Sequence, residues 1–290
     1  MGSDWRLRCA STFALSHTRY VDADRLDGAG RMTTLAPQAD FGAIALFRDL
    51  RPSDLTRLQS LLHCRACPSG TTLLTAEQPG EVAYIIQQGA IKVHVTQPDG
   101  REVILAILGA GEVLGEMSVV DSLGRSASAT TIEDCLLCWM DRTAFWDCLQ
   151  LMPAMTYNLV RILSRRLRLA NVQTQSLATL DVDGRIARQI VAFAQEYGEP
   201  DSAGAPVIPF RLTQSDLADL VGASRVRVNQ ILVTYKRHGY ISVDPTHHIT
   251  VCNLAALVDQ CRDSSSPVGT LDPPGRAEPA LSGRRNTVPV

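Results

Sequence analysis

The stretch "RLTQSDLADLVGASRVRVNQILVTYKRHGYI", residues 211–241, decides how the C-terminal part of this chain folds. Thr213 with Asp216 three residues on has the pattern of a capping box that opens a helix. Leu217, Leu220 and Val221 give that helix an apolar face. "GAS" at 222–224 supplies a tight turn, with Ser224 as N-cap of a second helix. Two short helices joined by a glycine-containing turn form a helix-turn-helix. In the second helix Val228, Ile231, Leu232 and Tyr235 recur at helical spacing and face a core. Val226 and Gln230, flanked by Asn229, point most directly away from it. Arg225 stands at the helix start, from which recognition helices touch base edges.

Charge supports a nucleic-acid surface at this place. Between Asp219 and Asp244 there is no acidic residue, while Arg225, Arg227, Lys236 and Arg237 are basic. The whole chain of 290 residues carries a net charge of only −2, so any phosphate-binding face is local. "YISVD" followed by "HHITV" reads as a two-stranded wing. The DNA-contact candidates are Thr213, Gln214, Ser224, Arg225, Val226, Arg227, Asn229 and Gln230. The competing reading is a generic helical hairpin with a solvated basic face.

Upstream, "LDVDGRI" at 180–186 marks a break with Gly184 as a hinge. A helix follows, with Ile186, Ile190, Phe193 and Tyr197 on one stripe, and "GEPDSAGAP" at 198–206 reads as a loop. Residues 151–180 read as one long helix with Pro153 in its first turn. Thr156, Val160, Leu163, Leu167, Ala170, Thr174 and Leu177 recur in alternating steps of four and three along it. That heptad seam favours a parallel dimer over a helix packed only on its own barrel, which would drift toward a 3.6-residue period.

From Gly70 to about Trp139 the texture changes to short β-branched runs, "TTLL", "VAYII", "AIKVHVT", "EVILAI" and "ASATTI". Glycines at 70, 80, 89, 100 and 109 punctuate them evenly, the pattern of antiparallel hairpins wrapped into a small barrel or jelly roll. Inside this region lies "LGEMSVVDSLGRSASAT", residues 114–130. A short helix beginning near Glu116 would aim backbone N–H groups at an anion, and Arg125 would add a planar fork for phosphate oxygens. A carboxylate repels phosphate, so Glu116 suits a sugar hydroxyl instead. Phosphate plus hydroxyl describes a nucleotide. The alternative is a Glu116–Arg125 salt bridge that merely pins the loop.

The composition, 45% hydrophobic and 20% charged, is that of a globular protein with room for two domains. No apolar run reaches the length of a membrane span and the N-terminus lacks a signal-peptide core, so a cytoplasmic protein is expected. Eight cysteines are too dilute for a disulfide scaffold. "CRAC" at 64–67 and "CLLC" at 135–138 are CxxC pairs, but the second lies in a strand-like run where positions three apart face opposite ways, which suits one metal poorly. Buried or idle thiols are expected, with redox sensing or a metal as the rival. Residues 1–40 read as a flexible extension, 41–63 as helical, and 263–290 as a disordered tail.

On "GE" at 115–116, "RS" at 125–126, "LDVDGRIA" at 180–187 and "LTQSDLADLVGASRVRVNQIL" at 212–232, the chain resembles the cAMP receptor protein/FNR family of bacterial transcription regulators. The resemblance spans residues 41–262 and implies an α+β architecture. An N-terminal cyclic-nucleotide-binding β-roll (a double-stranded jelly-roll barrel, 41–150) would be followed by a long dimerisation helix (151–181). A winged helix-turn-helix (182–262) would complete it. It implies that Gly115 and the amides of Glu116 and Met117 meet a cyclic phosphate, that Glu116 takes the ribose hydroxyl, and that Arg125 and Ser126 complete the phosphate site. Ala170 and Asn171 fall where cAMP-binding members touch the adenine from both subunits; Ala170 stands in place of the usual threonine, which puts base selectivity in question. The family often reads bases with an Arg–Glu…Arg set; here Arg225 remains while Val226 and Gln230 replace the other two. Implied partners are a double-stranded DNA operator, a cyclic nucleotide such as cAMP as allosteric ligand, a second copy of the chain, and RNA polymerase. No catalytic segment is left over, so no enzyme is expected; a ligand-independent or differently gated regulator is the main rival.

Overall fold

The computed structural model describes Phe41 and residues 44–261. The expectations for residues 1–40 and 263–290 lie outside the described residues. The chain divides into two compact units at Arg166/Leu167, inside its longest helix.

The first unit begins with a 3-10 turn at Ala45–Phe47 and α1, Pro52–Leu61, which starts on a proline whose missing N–H costs nothing there. Eight strands follow: β1 His63–Cys67, β2 Thr72–Leu74, β3 Val82–Gln88, β4 Ile91–Thr96, β5 Glu102–Leu108, β6 Val113–Leu114, β7 Ser128–Thr131 and β8 Cys135–Asp141. Helix α2, Glu116–Asp121, lies between β6 and β7, and α3, Arg142–Leu151, follows β8. The strands form two antiparallel four-stranded sheets, ordered β1-β8-β3-β6 and β2-β7-β4-β5. Leu74, Ile91, Leu108 and Ala129 of one sheet pack with Tyr84, Ile86, Leu114 and Leu137 of the other, filling the roll. The opposite face of the first sheet packs Ile85, Val113 and Met140 against Leu58, Phe145, Met155 and Leu159. Strand β3 is thus apolar on both faces, which is why "VAYII" reads as a continuous run.

The pairing corrects the reading of the cysteines. β1 runs antiparallel to β8, with Cys64 opposite Cys138 and Cys67 opposite Cys135. Cys64 and Cys138 are joined in a disulfide across the strands, so they are not idle thiols. β1 itself was invisible in the sequence, because five residues reading "HCRAC" carry no period-2 alternation of apolar side chains.

Helix α4, Pro153–Thr179, continues into the second unit. Val160, Leu167 and Leu177 of its heptad seam are exposed, as are Ala170 and Thr174. Helix α5, Val182–Tyr197, is capped by Asp181, which accepts from Gly184 N. The break therefore falls at Leu180–Asp181. Gly184 lies within α5, where a Cβ would stand 3.1 Å from Gln260 O, so it serves close packing rather than a hinge.

The second unit continues with β9, Glu199–Pro200, and β10, Pro206–Val207, an antiparallel pair where a plain loop was expected. Then come α6, Gln214–Val221, α7, Arg225–Arg237, β11, Ile241–Val243, β12, Ile249–Val251, and α8, Leu254–Gln260. The sheet order is β11-β12-β10-β9. Phe210 packs edge-on against Phe193 and Tyr197 at centroid distances of 5.4 and 5.3 Å. Buried Tyr235 donates from its hydroxyl to Asp183 O at 3.0 Å, tying α7 to the first turn of α5. Burial first, then Asp183, pushes the Tyr235 phenol above its usual range, so it stays a donor.

Candidate ligand clasp and nucleic-acid interface

The clasp is built at the β6–α2 turn. Gly115 adopts φ +82°, and a Cβ there would stand 2.6 Å from Arg125 Nη1 and 3.0 Å from Val82 O. Only glycine tolerates both the left-handed backbone and that proximity. Arg125 is buried. Its Nη1 donates to Gly115 O and Ser118 Oγ, each at 2.7 Å, and its Nη2 to Val82 O at 2.6 Å. Burial lowers its pKa from the ordinary value, against the opposing pull of Tyr84, Glu116 and Glu81.

Glu116, only 2% exposed, accepts from Arg166 Nη1 at 2.6 Å. Arg166 Nη2 also donates to Glu112 Oε2 at 2.8 Å and to Val113 O at 2.5 Å, and Arg165 pairs with the other oxygen of Glu112. The loop-pinning Glu116–Arg125 bridge is therefore not what forms. Each group has taken a different partner, and the carboxylate is tied to the long helix. Met117 is exposed, Ser126 is exposed, and Ala170 and Asn171 are exposed on α4 beyond the unit boundary.

Four residues of this network escaped the sequence reading: Glu112, Ser118, Arg165 and Arg166. A signal existed for one of them, Glu112, since "GEVLGE" at 111–116 repeats the Gly–Glu step four residues apart. The "RR" at 165–166 lies between the seam positions Leu163 and Leu167 and drew no reading.

Burial acts to raise the Glu112 pKa, but Arg166 and Arg165 outweigh it, and the net shift is downward from 4.5. A carboxylate with a depressed folded pKa stabilises the fold above its unfolded pKa and loses that contribution as pH falls through the folded value. The first unit is thus expected to weaken progressively below about pH 4.5, and Glu112→Gln to flatten that acid limb while lowering stability at pH 7. Thermal melts across pH 3–7 check this; an unchanged acid limb would exclude Glu112 as its source.

The helix-turn-helix forms as the sequence led one to expect. Thr213 Oγ1 accepts from Asp216 N at 3.1 Å while the Asp216 carboxylate accepts from Thr213 N at 3.0 Å, completing the capping box. Ser224 caps α7 through Arg227 N at 3.2 Å. Val228, Ile231, Leu232 and Tyr235 are buried, while Arg225, Val226, Arg227, Asn229 and Gln230 are exposed, Val226 by 68%. Half-buried Gln214 donates to Asn229 Oδ1 at 2.9 Å, so the first helix orients Asn229 and leaves its amide N–H groups outward.

A two-sheet roll with a buried acid–arginine cluster, followed by a winged helix-turn-helix whose second helix has a cationic exposed face, defines a DNA-binding protein with an attached β-roll domain. Residues 64–151 match the family Cyclic nucleotide-binding domain, and residues 184–260 match the Crp-like helix-turn-helix domain. A CRP-like cAMP-activated global transcriptional regulator of Mycobacterium tuberculosis is 37% identical over 199 residues, covering 69% of this chain and 88% of its own. The cyclic AMP receptor protein of Thermus thermophilus is 29% identical over 200 residues, covering 69% and 89%. Among solved structures, FixK2 of Bradyrhizobium japonicum shares the fold at TM-score 0.62 and 18% identity, covering 71% of this chain and 99% of that one. The c-di-GMP-responsive global regulator CLP of Xanthomonas campestris does so at TM-score 0.58 and 24% identity, covering 69% and 99%. The chain belongs to the cAMP receptor protein/FNR family of transcription regulators. It carries a cyclic-nucleotide-binding domain and a DNA-binding helix-turn-helix, in a family of regulators rather than enzymes. No helix among the described residues is long and apolar enough to cross a membrane.

Proposed function

We propose that the chain is a cytoplasmic, homodimeric transcription regulator whose operator affinity is set by a cyclic nucleotide, with cAMP as the first candidate. Residues 41–150 sense the ligand, 151–181 pair the two chains through the exposed heptad seam, and 182–262 read DNA. The observation that carries this reading is the hold of Arg166, on the long helix, on Glu116 in the clasp. A ribose hydroxyl donating to Glu116 competes with Arg166 for the same carboxylate. A phosphate draws the Arg125 guanidinium from the carbonyls of Val82 and Gly115. Ligand binding therefore exchanges partners on both side chains, which supplies the differential contacts that any shift of a two-state equilibrium requires. Gly115, the amides of Glu116 and Met117, and Ser126 line the phosphate end, and Ala170 and Asn171 are assigned to the base by resemblance.

Calorimetry with cAMP and cGMP tests this. Glu116→Gln is expected to weaken binding about 10-fold or more, the loss of one hydrogen bond to a charged group. Arg125→Gln is expected to weaken it at least as much. A second reading, a ligand-independent regulator, is favoured by one fact: the Glu116 carboxylate and the Arg125 guanidinium already have protein partners. No heat with either nucleotide, together with unchanged operator affinity, selects it.

On DNA, Arg225 favours guanine, Gln230 adenine, and Val226 a thymine methyl. The half-site is therefore expected to differ from one read by an Arg–Glu…Arg set. Arg225→Ala is expected to cost about 1–3 kcal/mol of operator affinity and relax choice at one base. A selection from random DNA that returned the ordinary family half-site would sink this assignment.

A further inference from the structure

The two CxxC motifs remain unused by ligand or DNA. They interlock. Antiparallel register sets Cys64 against Cys138 and Cys67 against Cys135, three positions along, on opposite faces of the β1–β8 pair. Cys64 and Cys138 point into the core shared with Ile85, Val113 and Phe145, where they are joined. Cys67 and Cys135 point into the interior of the roll beside Leu74, Tyr84 and Ile86.

The two pairs differ in what surrounds them. Cys135 Sγ lies 3.4 Å from Ala90 O and 3.3 Å from Glu133 O, placed to donate as a thiol. A Cβ on Gly89 would stand 2.6 Å from that sulfur, so the thiol is wedged under the β3–β4 turn. Burial, then Glu133, pushes its pKa up to about 12, and a thiol that stays protonated does not exchange. Cys64, in contrast, sits on the edge strand of its sheet, 8% exposed between exposed His63 and Arg65. An edge strand is bonded on one side only and can lift locally to admit a reagent. Cys138 is fully buried on the adjacent strand.

We propose that Cys64 and Cys138 form a reversible thiol–disulfide site that staples the edge strand of the roll, with Cys64 as the entry thiol and a low-molecular-weight disulfide as the oxidant. In the forward direction the Cys64 thiolate attacks the small disulfide RSSR, giving Cys64–S–S–R and one RS⁻. The Cys138 thiolate then displaces the second RS⁻ from the Cys64 sulfur. Two thiols lose two electrons to RSSR, the two RS⁻ take up the two thiol protons, and two RSH leave; reduction is the reverse. The bond spans 74 residues and closes a loop of chain that includes Gly115, Glu116 and Arg125. In register, Cys138 lies opposite Ile85, and Ile85 opposite Val113, which directly follows Glu112. Oxidation thus restrains the edge of the same sheet that holds the clasp. This inference stands on the register and burial of the cysteines and does not depend on which ligand binds.

The test uses the full chain equilibrated with reduced and oxidised glutathione, from both directions, then quenched with acid and N-ethylmaleimide. Trypsin cleavage after Arg65 separates Cys64 from Cys67, so the diagnostic species is Leu58–Arg65 linked to Ser126–Arg142 through Cys138. The expected result is one reversible transition for that species, with Cys67 and Cys135 alkylated throughout. The oxidised chain should melt higher by roughly 5 °C or more, since the cross-link restricts the unfolded chain. Cys64→Ser should abolish that difference and Cys67→Ser should keep it; the wild-type comparison stands even if a variant fails to fold. The proposal is overturned if the linked peptide never forms, if glutathione does not reverse it, if Cys67 and Cys135 are the pair that links, or if both redox states melt together.

Discussion

Arg166→Ala is expected to destabilise the β-roll by about 3 kcal/mol, the low end of what removing one partner of a buried ion pair costs. Arg166 bridges two carboxylates that have little access to water, Glu116 at 2% exposure and Glu112 at 6%. Arg165 still holds Glu112, whereas buried Glu116 loses the arginine that bonds it. The Arg166 side chain is itself 24% exposed, so water entering along its path relieves part of the loss. Arg166→Lys should fall between, because a point charge lacks the fork that spans both acids. Urea unfolding followed by tryptophan fluorescence reads the effect, since Trp139 and Trp146 both lie in this unit. Adding Glu116→Gln to Arg166→Met should recover part of the stability. A double variant as weak as the single one would mean that packing, not the uncompensated charge, sets the cost.

Gly115→Ala is the second large effect, about 2–4 kcal/mol. A non-glycine residue at φ +82° costs on the order of 1–2 kcal/mol by itself. The added methyl then stands 2.6 Å from Arg125 Nη1 and 3.0 Å from Val82 O, so the guanidinium must leave the carbonyls it bonds. Gly100→Ala separates the two contributions. Gly100 has φ +83° but nothing within 4 Å of a Cβ, so it pays for backbone strain alone. The excess of Gly115→Ala over Gly100→Ala measures the crowding. Equal losses at the two sites would mean that Arg125 yields freely and that its position is not held by the glycine. Nucleotide affinity should fall with Gly115→Ala and stay unchanged with Gly100→Ala.

The winged unit was legible because its signals are local. Thr213, Asp216 and Ser224 act on N–H groups within three residues, and the apolar spacing of Val228 to Tyr235 is a property of one helix. The long helix and most of the roll strands were legible for the same reason. The β9–β10 pair was missed, since two-residue strands in a proline- and glycine-rich stretch carry no period.

By itself, then, the sequence determined most element types, the helix caps, the cationic face of α7 and the acid and guanidinium of the candidate clasp. Each of these depends on side chains and backbone groups a turn or two apart. Only the tertiary structure decided who partners whom: Glu116 with Arg166 across 50 residues, Arg125 with Val82 O across 43, and Cys64 with Cys138 across 74. Such pairs are set by strand order and helix placement. Those follow from burying two sheet faces at once, a condition that no short window of sequence expresses.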